Sequence, residues 1–335
     1  MSTATLKAKD FSSDQDVKWC PGCGDYSILK QVQSVLPDTE VNKEDIVFVS
    51  GIGCSSRFPY YMNTYGIHSI HGRAPAVATG LKMANPDLNI WVITGDGDGL
   101  SIGGNHLIHL ARRNVDLNVL LFNNEIYGLT KGQFSPTSKM GLKTKSSPLG
   151  VIDRPFNPLG LLHGAGASFI ARGMDRDPKA LREILLEANR HKGSSFVEIY
   201  QNCHVFNDGV FSEFSDKETK ANSSIQLVEG EELIFDEGRK GLRIVNMTPE
   251  IVNLEQDADR SDLWIHDPQD RMKGYLLCQL ADTEGMPRPF GVLFTELRSN
   301  YEQMAVEQLK IAKEKQPDSN LDNLLRGTQF WNVGE

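Results

Sequence analysis

The stretch NIWVITGDGDG, residues 89–99, carries four consecutive apolar residues and then breaks into alternating glycine and aspartate. A strand with one wet face alternates apolar and polar positions. This one does not, so it is expected to be buried on both faces. The same pattern recurs on either side. Upstream, DIVFVSGIG (45–53) is a short β-rich run ending in glycines, and RAPAVATGLKMA (73–84) reads as a helix entered through Pro75. Downstream, SIGGNHLIHLARR (101–113) reads as a helix and LNVLLFNNEIYG (117–128) as a third strand closing on polar residues. NPLGLLHGAGASFIAR (157–172) and PKALREILLEANRHKGSSFVEIYQNC (178–203) add further helix–strand pairs. Apolar strands separated by helices imply an α/β fold with a doubly wound parallel sheet. Ligands of such sheets bind outside the carboxyl ends of the strands, where the Gly/Asp/Asn-rich turns fall.

The turn itself suggests a ligand. Gly95-Asp96-Gly97 is followed after 25 residues by Asn123-Asn124. Glycines at a strand end let backbone N–H groups approach a phosphate, helped by the next helix N-terminus. Asp96 offers a hard oxygen, Asn124 a second and the Ile126 carbonyl a third. Mg²⁺ accepts such a set and completes its shell with diphosphate oxygens and water. Either half alone is a common turn or strand end; the pair, correctly placed on two successive strands, is not.

Composition narrows the class. The chain has 335 residues and a net charge of −9, which lacks the basic footprint of a nucleic-acid binder. No apolar run is long enough to cross a bilayer, and MSTATLKAKDFSSDQD lacks the apolar core of a signal peptide, so the cytoplasm is the expected compartment. Five cysteines in a reducing compartment point to metal or redox chemistry. KWCPGCGDYS (18–27) pairs Cys20 with Cys23. It precedes the first strand, unlike a thioredoxin-type motif, and it lacks both the C-x2-C-x2-C run of ferredoxins and the second C-x2-C of zinc ribbons. That leaves a dispersed set, Cys20, Cys23, Cys54 and Cys203, the last two beside strand ends, and four thiolates suit an iron–sulfur cluster. Cys278, in GYLLCQL, reads as a core cysteine.

Taken together, WCPGCGDY (19–26), GIGCSSRFPYY (51–61), HGRAPAVATGLK (71–82), GDGDGLSIGGNH (95–106), NNEIYGLTKGQFSPTS (123–138) and NC (202–203) resemble one branch of the thiamine diphosphate enzymes. That branch is the β subunits of 2-oxoacid:ferredoxin oxidoreductases. The resemblance implies a 4Fe–4S cluster on Cys20, Cys23, Cys54 and Cys203. It implies thiamine diphosphate contacts at Ile52, Gly53, Cys54, Ser55, His71, Gly72, Arg73, Ala74, Gly95, Gly97, Asp98, Gly128 and Leu129, with His71 also a catalytic candidate. Arg57 and Lys131 are candidates to pair with the carboxylates of the 2-oxoacid. By resemblance Lys131 belongs to a loop that plugs the site, and CSSRFPYY looks like the 2-oxoglutarate-type variant.

The implied reaction is oxidative decarboxylation of 2-oxoglutarate with coenzyme A to succinyl-CoA, CO₂ and reduced ferredoxin, or its reverse. Another 2-oxoacid such as pyruvate, a non-redox lyase with a structural zinc, and a scaffold subunit with a vestigial site remain as alternatives. The carboxylate that faces the aminopyrimidine is implied to come from an α subunit, in a heterotetramer built from heterodimer pairs. The sequence divides into an N-terminal segment (1–43), the cofactor domain (44–211) and a C-terminal extension of mixed structure (212–335). Within the domain, the loop at 130–157 is too long for a plain connector and is expected to be a lid or disordered.

Overall fold

Strand β3 (Asn89–Gly95) alternates its side chains between two cores: Ile90 and Val92 enter one, Trp91 and Ile93 the other. Its neighbours β1 (Ile46–Ser50) and β4 (Leu117–Asn123) are buried at every position. This two-faced burial is why the sequence shows no alternation, and each buried aliphatic or aromatic side chain contributes about 1.5–3 kcal/mol. The computed structural model describes residues 6–256, 260–316, 320–327, 331 and 333–334.

The main sheet has eight strands in the order β2-β1-β3-β4-β8-β7-β13-β9. It includes β2 (Tyr65–His68), β7 (Phe169–Met174), β8 (Ser194–Tyr200), β9 (Ser224–Gln226) and β13 (Arg288–Thr295). All pairings are parallel except β13 against β7. Helices α1 (Asp25–Val35) and α5 (Pro178–Arg190) cover one face. The other is covered by α2 (Ala74–Ala84), α3 (Gly104–Arg113), α4 (Pro158–Gly164) and α8 (Arg271–Leu280). Asn157 and Asp177 cap α4 and α5 by accepting from Gly160 N and Ala180 N, each ahead of a proline that fixes the first turn. Smaller elements complete the chain: the hairpin β5 (Ile126–Tyr127) and β6 (Gln133–Phe134), the sheet β10 (Ile234–Phe235), β11 (Lys240–Val245) and β12 (Thr248–Asn253), and helices α6 (Ser212–Ser215), α7 (Lys220–Ser223), α9 (Tyr301–Lys315) and α10 (Leu321–Arg326).

The segments before residue 44 and after 211, read from the sequence as flanking the cofactor domain, both pack against it. Phe11, Trp19 and the apolar face of α1 lie in the same core as Phe48 and Trp91, so residues before 44 are part of the domain. Past 211, β13 and β9 extend the main sheet. Arg172 on β7 makes a buried 2.7 Å ion pair with Glu198 on β8 and donates to the Pro289 carbonyl on β13. Asn114, held at φ 54, donates to the carbonyls of Arg298 and Ser299. Long, polar-rich connections between these strands hid their membership from a pattern-based reading. Edge strand β2, four residues long and exposed along its length, is too short to show a strand pattern in the sequence.

Candidate active site

The carboxyl ends of β1, β3 and β4 surround a cavity of about 420 Å³. Its lining includes Ile52, Gly53, Cys54, Ser55, His71, Gly95, Asp96, Gly97, Asp98, Asn124, Ile126, Gly128 and Leu129, all singled out from the sequence. Gly72, Arg73 and Ala74 do not line it. Gly72 is pressed against Gly103, Arg73 donates to the Ile102 carbonyl, and Ala74 is buried in the first turn of α2.

Asp98 holds the loops of this end together. One carboxylate oxygen accepts from Ile52 N (3.0 Å), Gly72 N (2.7 Å) and His71 Nδ1 (2.7 Å); the other accepts from the Thr94 hydroxyl (2.6 Å). Its oxygens are committed to the protein, so Asp98 shapes the cradle by fixing the 51–55 and 71–74 turns against each other. Gly53, at φ 141, has open space where a Cβ would stand, whereas a Cβ at Gly97 would meet the Tyr127 ring at 2.3 Å. Backbone can therefore reach the cavity surface at Gly53, and Tyr127 packs closely at Gly97.

Asp96, 3% exposed, accepts hydrogen bonds from Ser135 and Thr137, each 2.6 Å and both on Oδ2. Burial raises its pKa to about 6. Asn124 Oδ1 accepts from Ile126 N (3.1 Å). Asp96, Asn124 and Ile126 thus line the same cavity, and a carboxylate, an amide oxygen and a backbone carbonyl are donors of the kind a hard divalent cation takes. Ser135, Thr137 and Ser138 lie within the long loop expected to be a lid or disordered. Its first part is instead the β5–β6 hairpin and a buried hydroxyl clasp on Asp96.

The cysteines lie beside the same cavity, which Cys54 lines. The sulfurs of Cys203 and Cys54 stand 3.5 and 3.6 Å from where a Cβ of Gly128 would be, so both lie beside the same glycine. Cys23 Sγ accepts from Gln201 Nε2 (3.3 Å), and Cys20 is exposed on the same turn. Burial, followed by the charge of Asp25, pushes the thiols of Cys23 and Cys54 up, the latter to about 12; burial also raises Cys203. Asp25, the residue after CPGCG, is buried and neither of its oxygens accepts an N–H or O–H; burial holds its acid up to about 7, against the opposing effect of the Cys23 thiol. Among the described residues, no three His, Cys, Asp or Glu side chains adopt a metal-binding arrangement. The donor set nonetheless fits a cluster. Three half-buried thiols and an exposed one beside a buried carboxylate are a concentration of acceptors that a positively charged iron core would compensate. Cys278 is fully buried in the core.

Arg57 and Lys131 do not line the cavity. Arg57 Nε donates to the Tyr61 hydroxyl, and Lys131 sits exposed at φ 77 in the hairpin turn. Asp25, Tyr127 and Gln201 line it and were not foreseen. Asp25 and Gln201 directly flank cysteine motifs in the chain, a positional signal that residue type alone does not convey.

Residues 51–199 match the family described as thiamine pyrophosphate enzyme, C-terminal TPP binding domain. The 2-oxoglutarate oxidoreductase subunit KorB of Mycobacterium tuberculosis is 47% identical over 98% of this chain and 88% of its own length. The chain belongs to the β-subunit family of the 2-oxoacid:ferredoxin oxidoreductases. The corresponding β subunit of Saccharolobus solfataricus is 45% identical over 59% of this chain and 66% of its own. A solved 2-oxoglutarate:ferredoxin oxidoreductase from Magnetococcus marinus, with 2-oxoglutarate, coenzyme A and succinyl-CoA bound, superposes with TM-score 0.77 at 30% identity and covers 98% of both chains. The Mycobacterium tuberculosis and Magnetococcus marinus matches each cover 98% of this chain and so extend past residue 211, consistent with its place in the sheet.

Proposed function

We propose that this chain is the β subunit of a 2-oxoglutarate:ferredoxin oxidoreductase. With an α subunit it would convert 2-oxoglutarate and coenzyme A to succinyl-CoA and CO₂ and pass the electrons to ferredoxin, or run in reverse. The observation that carries the reading is the shared cavity wall at Cys54 and Gly128, where the diphosphate signature meets the cysteines. The two full-length relatives, named for 2-oxoglutarate, support the substrate.

In this reading Asp96, Asn124 and the Ile126 carbonyl hold Mg²⁺, the backbone around Gly53 and Gly97 receives the diphosphate, and Cys20, Cys23, Cys54 and Cys203 hold a 4Fe–4S cluster. Bound thiamine diphosphate supplies an electron sink for decarboxylation. The protein's own residues do the rest. Asp98 fixes His71 and the Ile52 amide, while Ser135 and Thr137 keep Asp96 oriented. Arg57 and Lys131 adjoin the lining segments in sequence and are assigned to the two substrate carboxylates, which a lone cation would not satisfy. An α subunit supplies the pyrimidine half, two heterodimers form the heterotetramer, and the cytoplasm is the proposed compartment.

The test is co-purification with the α partner, followed by metal and cofactor analysis and a panel of 2-oxoacids with coenzyme A and an electron acceptor. Stoichiometric iron, sulfide and thiamine diphosphate with preference for 2-oxoglutarate is expected; a colourless, zinc-loaded protein overturns the reading. Asp96→Ala is expected to abolish Mg²⁺ and thiamine diphosphate retention while iron remains.

A further inference from the structure

One side chain physically connects the two halves of the cavity. Gln201 follows the end of β8, is 1% exposed and lines the cavity. Its Nε2 donates to Cys23 Sγ (3.3 Å) and to the Asn202 carbonyl (2.7 Å), and its Oε1 accepts from Asn124 Nδ2 (2.7 Å). The polarity of this chain is fixed by its ends. The Asn202 carbonyl can only accept, so the amide nitrogen must face it and, with it, the sulfur. Oε1 therefore faces Asn124, and Asn124 must answer with its nitrogen. Its Oδ1 is thereby turned to the opposite side, where it accepts from Ile126 N.

We propose that Gln201 is a positioning residue for both centres: it sets which atom Asn124 presents as a cation ligand, and it donates an N–H to the sulfur of Cys23. The inference rests on the assignment of Mg²⁺ and a cluster given above and deepens it. Outer partners that orient ligands typically alter metal affinity by about 10–100-fold, and hydrogen bonds to cluster sulfurs move the reduction potential. Removing the donor leaves more negative charge on sulfur, which favours the oxidised cluster. No other side chain donates to Cys23 Sγ among the described residues.

The experiment uses the co-purified αβ complex with Gln201→Met, neutral and close in shape but unable to donate or accept as an amide does. Two quantities are read: the cluster's midpoint potential by EPR-monitored titration, and the Mg²⁺ concentration needed to retain thiamine diphosphate. The expected result is a negative shift in potential together with a rise of about 10-fold or more in the Mg²⁺ requirement, at unchanged iron content. Gln201→Glu, which keeps the acceptor to Asn124 but loses the amide donor, is expected to shift the potential and largely rescue the Mg²⁺ requirement; it also serves if the Met variant does not fold. A variant that moves neither quantity, or only lowers the melting temperature, overturns the proposal. Wild-type complex without iron would instead overturn the reading beneath it.

Discussion

At the glycine end of the cavity the buried carboxylates of Asp96 and Asp98 are held by hydroxyls, amides and an imidazole; at the cysteine end, Asp25 is equally buried and accepts no N–H or O–H, with only the Cys23 thiol beside it. The first end is completed by the chain's own hydrogen bonds, so folding alone can form it. The second gathers thiols and a carboxylate whose charged forms burial disfavours, so without a partner of opposite charge their protonated, neutral forms are favoured. One wall is a preformed cradle and the other a socket whose stability depends on what fills it.

The sharpest break between the two ends is Cys54→Ala in the αβ complex. Iron should fall to background and turnover with it, while thiamine diphosphate is retained; loss of both, by metal and cofactor analysis, would mean the ends fold as one unit. Asp98→Ala should do the converse. Removing the acceptor of two buried backbone amides and of His71 is expected to cost roughly 3–5 kcal/mol and to weaken thiamine diphosphate binding. Denaturant melts and calorimetric titration check this, and an unchanged melt would show that the cradle does not depend on this carboxylate.

Asp25→Asn sharpens the comparison from the strained side. In complex stripped of iron it should raise stability by roughly 1–3 kcal/mol, because a buried group with no partner loses its charge; a lowered melting temperature would reveal a partner for the carboxylate. The smallest effect is expected far from both ends. His191 bridges Ser168 and Thr295 at the seam with the C-terminal strands, facing Asp116, Glu296, Arg298 and Lys192, and burial lowers its pKa from 6.5 to about 4. Between those values the unfolded chain takes up a proton that the folded chain refuses. His191 therefore costs nothing above pH 6.5 and destabilises increasingly as pH falls toward 4. His191→Gln should flatten that part of the pH–stability profile relative to wild type without altering cofactor content; parallel profiles would show that the imidazole does not titrate this way.

Much of the cradle was legible because its chemistry is local. GDGDG and NNEIYG each lie at a strand end, and β3 and β4 carry their burial in consecutive apolar residues. The cysteines were legible as a set but not as a neighbourhood: nothing in the spacing of Cys54 and Cys203 says that both sulfurs stand over Gly128. Gly72, Arg73 and Ala74 read as cofactor contacts, yet they serve the packing of the turn and the entry to α2. Asp98 reads as a cofactor contact and lines the cavity, but its hold on the 51–55 and 71–74 turns depends on residues 27 and 46 positions away. Asp25 and Gln201 carried no signature of their own.

By itself, then, the sequence determined the parallel α/β layering, the diphosphate signature and the supply of four thiols, since burial periodicity and turn chemistry act over a few residues. Tertiary structure alone decided that residues 288–295 join the main sheet, that Asp98 is spent on holding loops, and that Gln201 spans from Asn124 to Cys23. Those outcomes depend on which distant groups meet in a buried space, where each donor and acceptor must find a partner from whatever part of the chain arrives there.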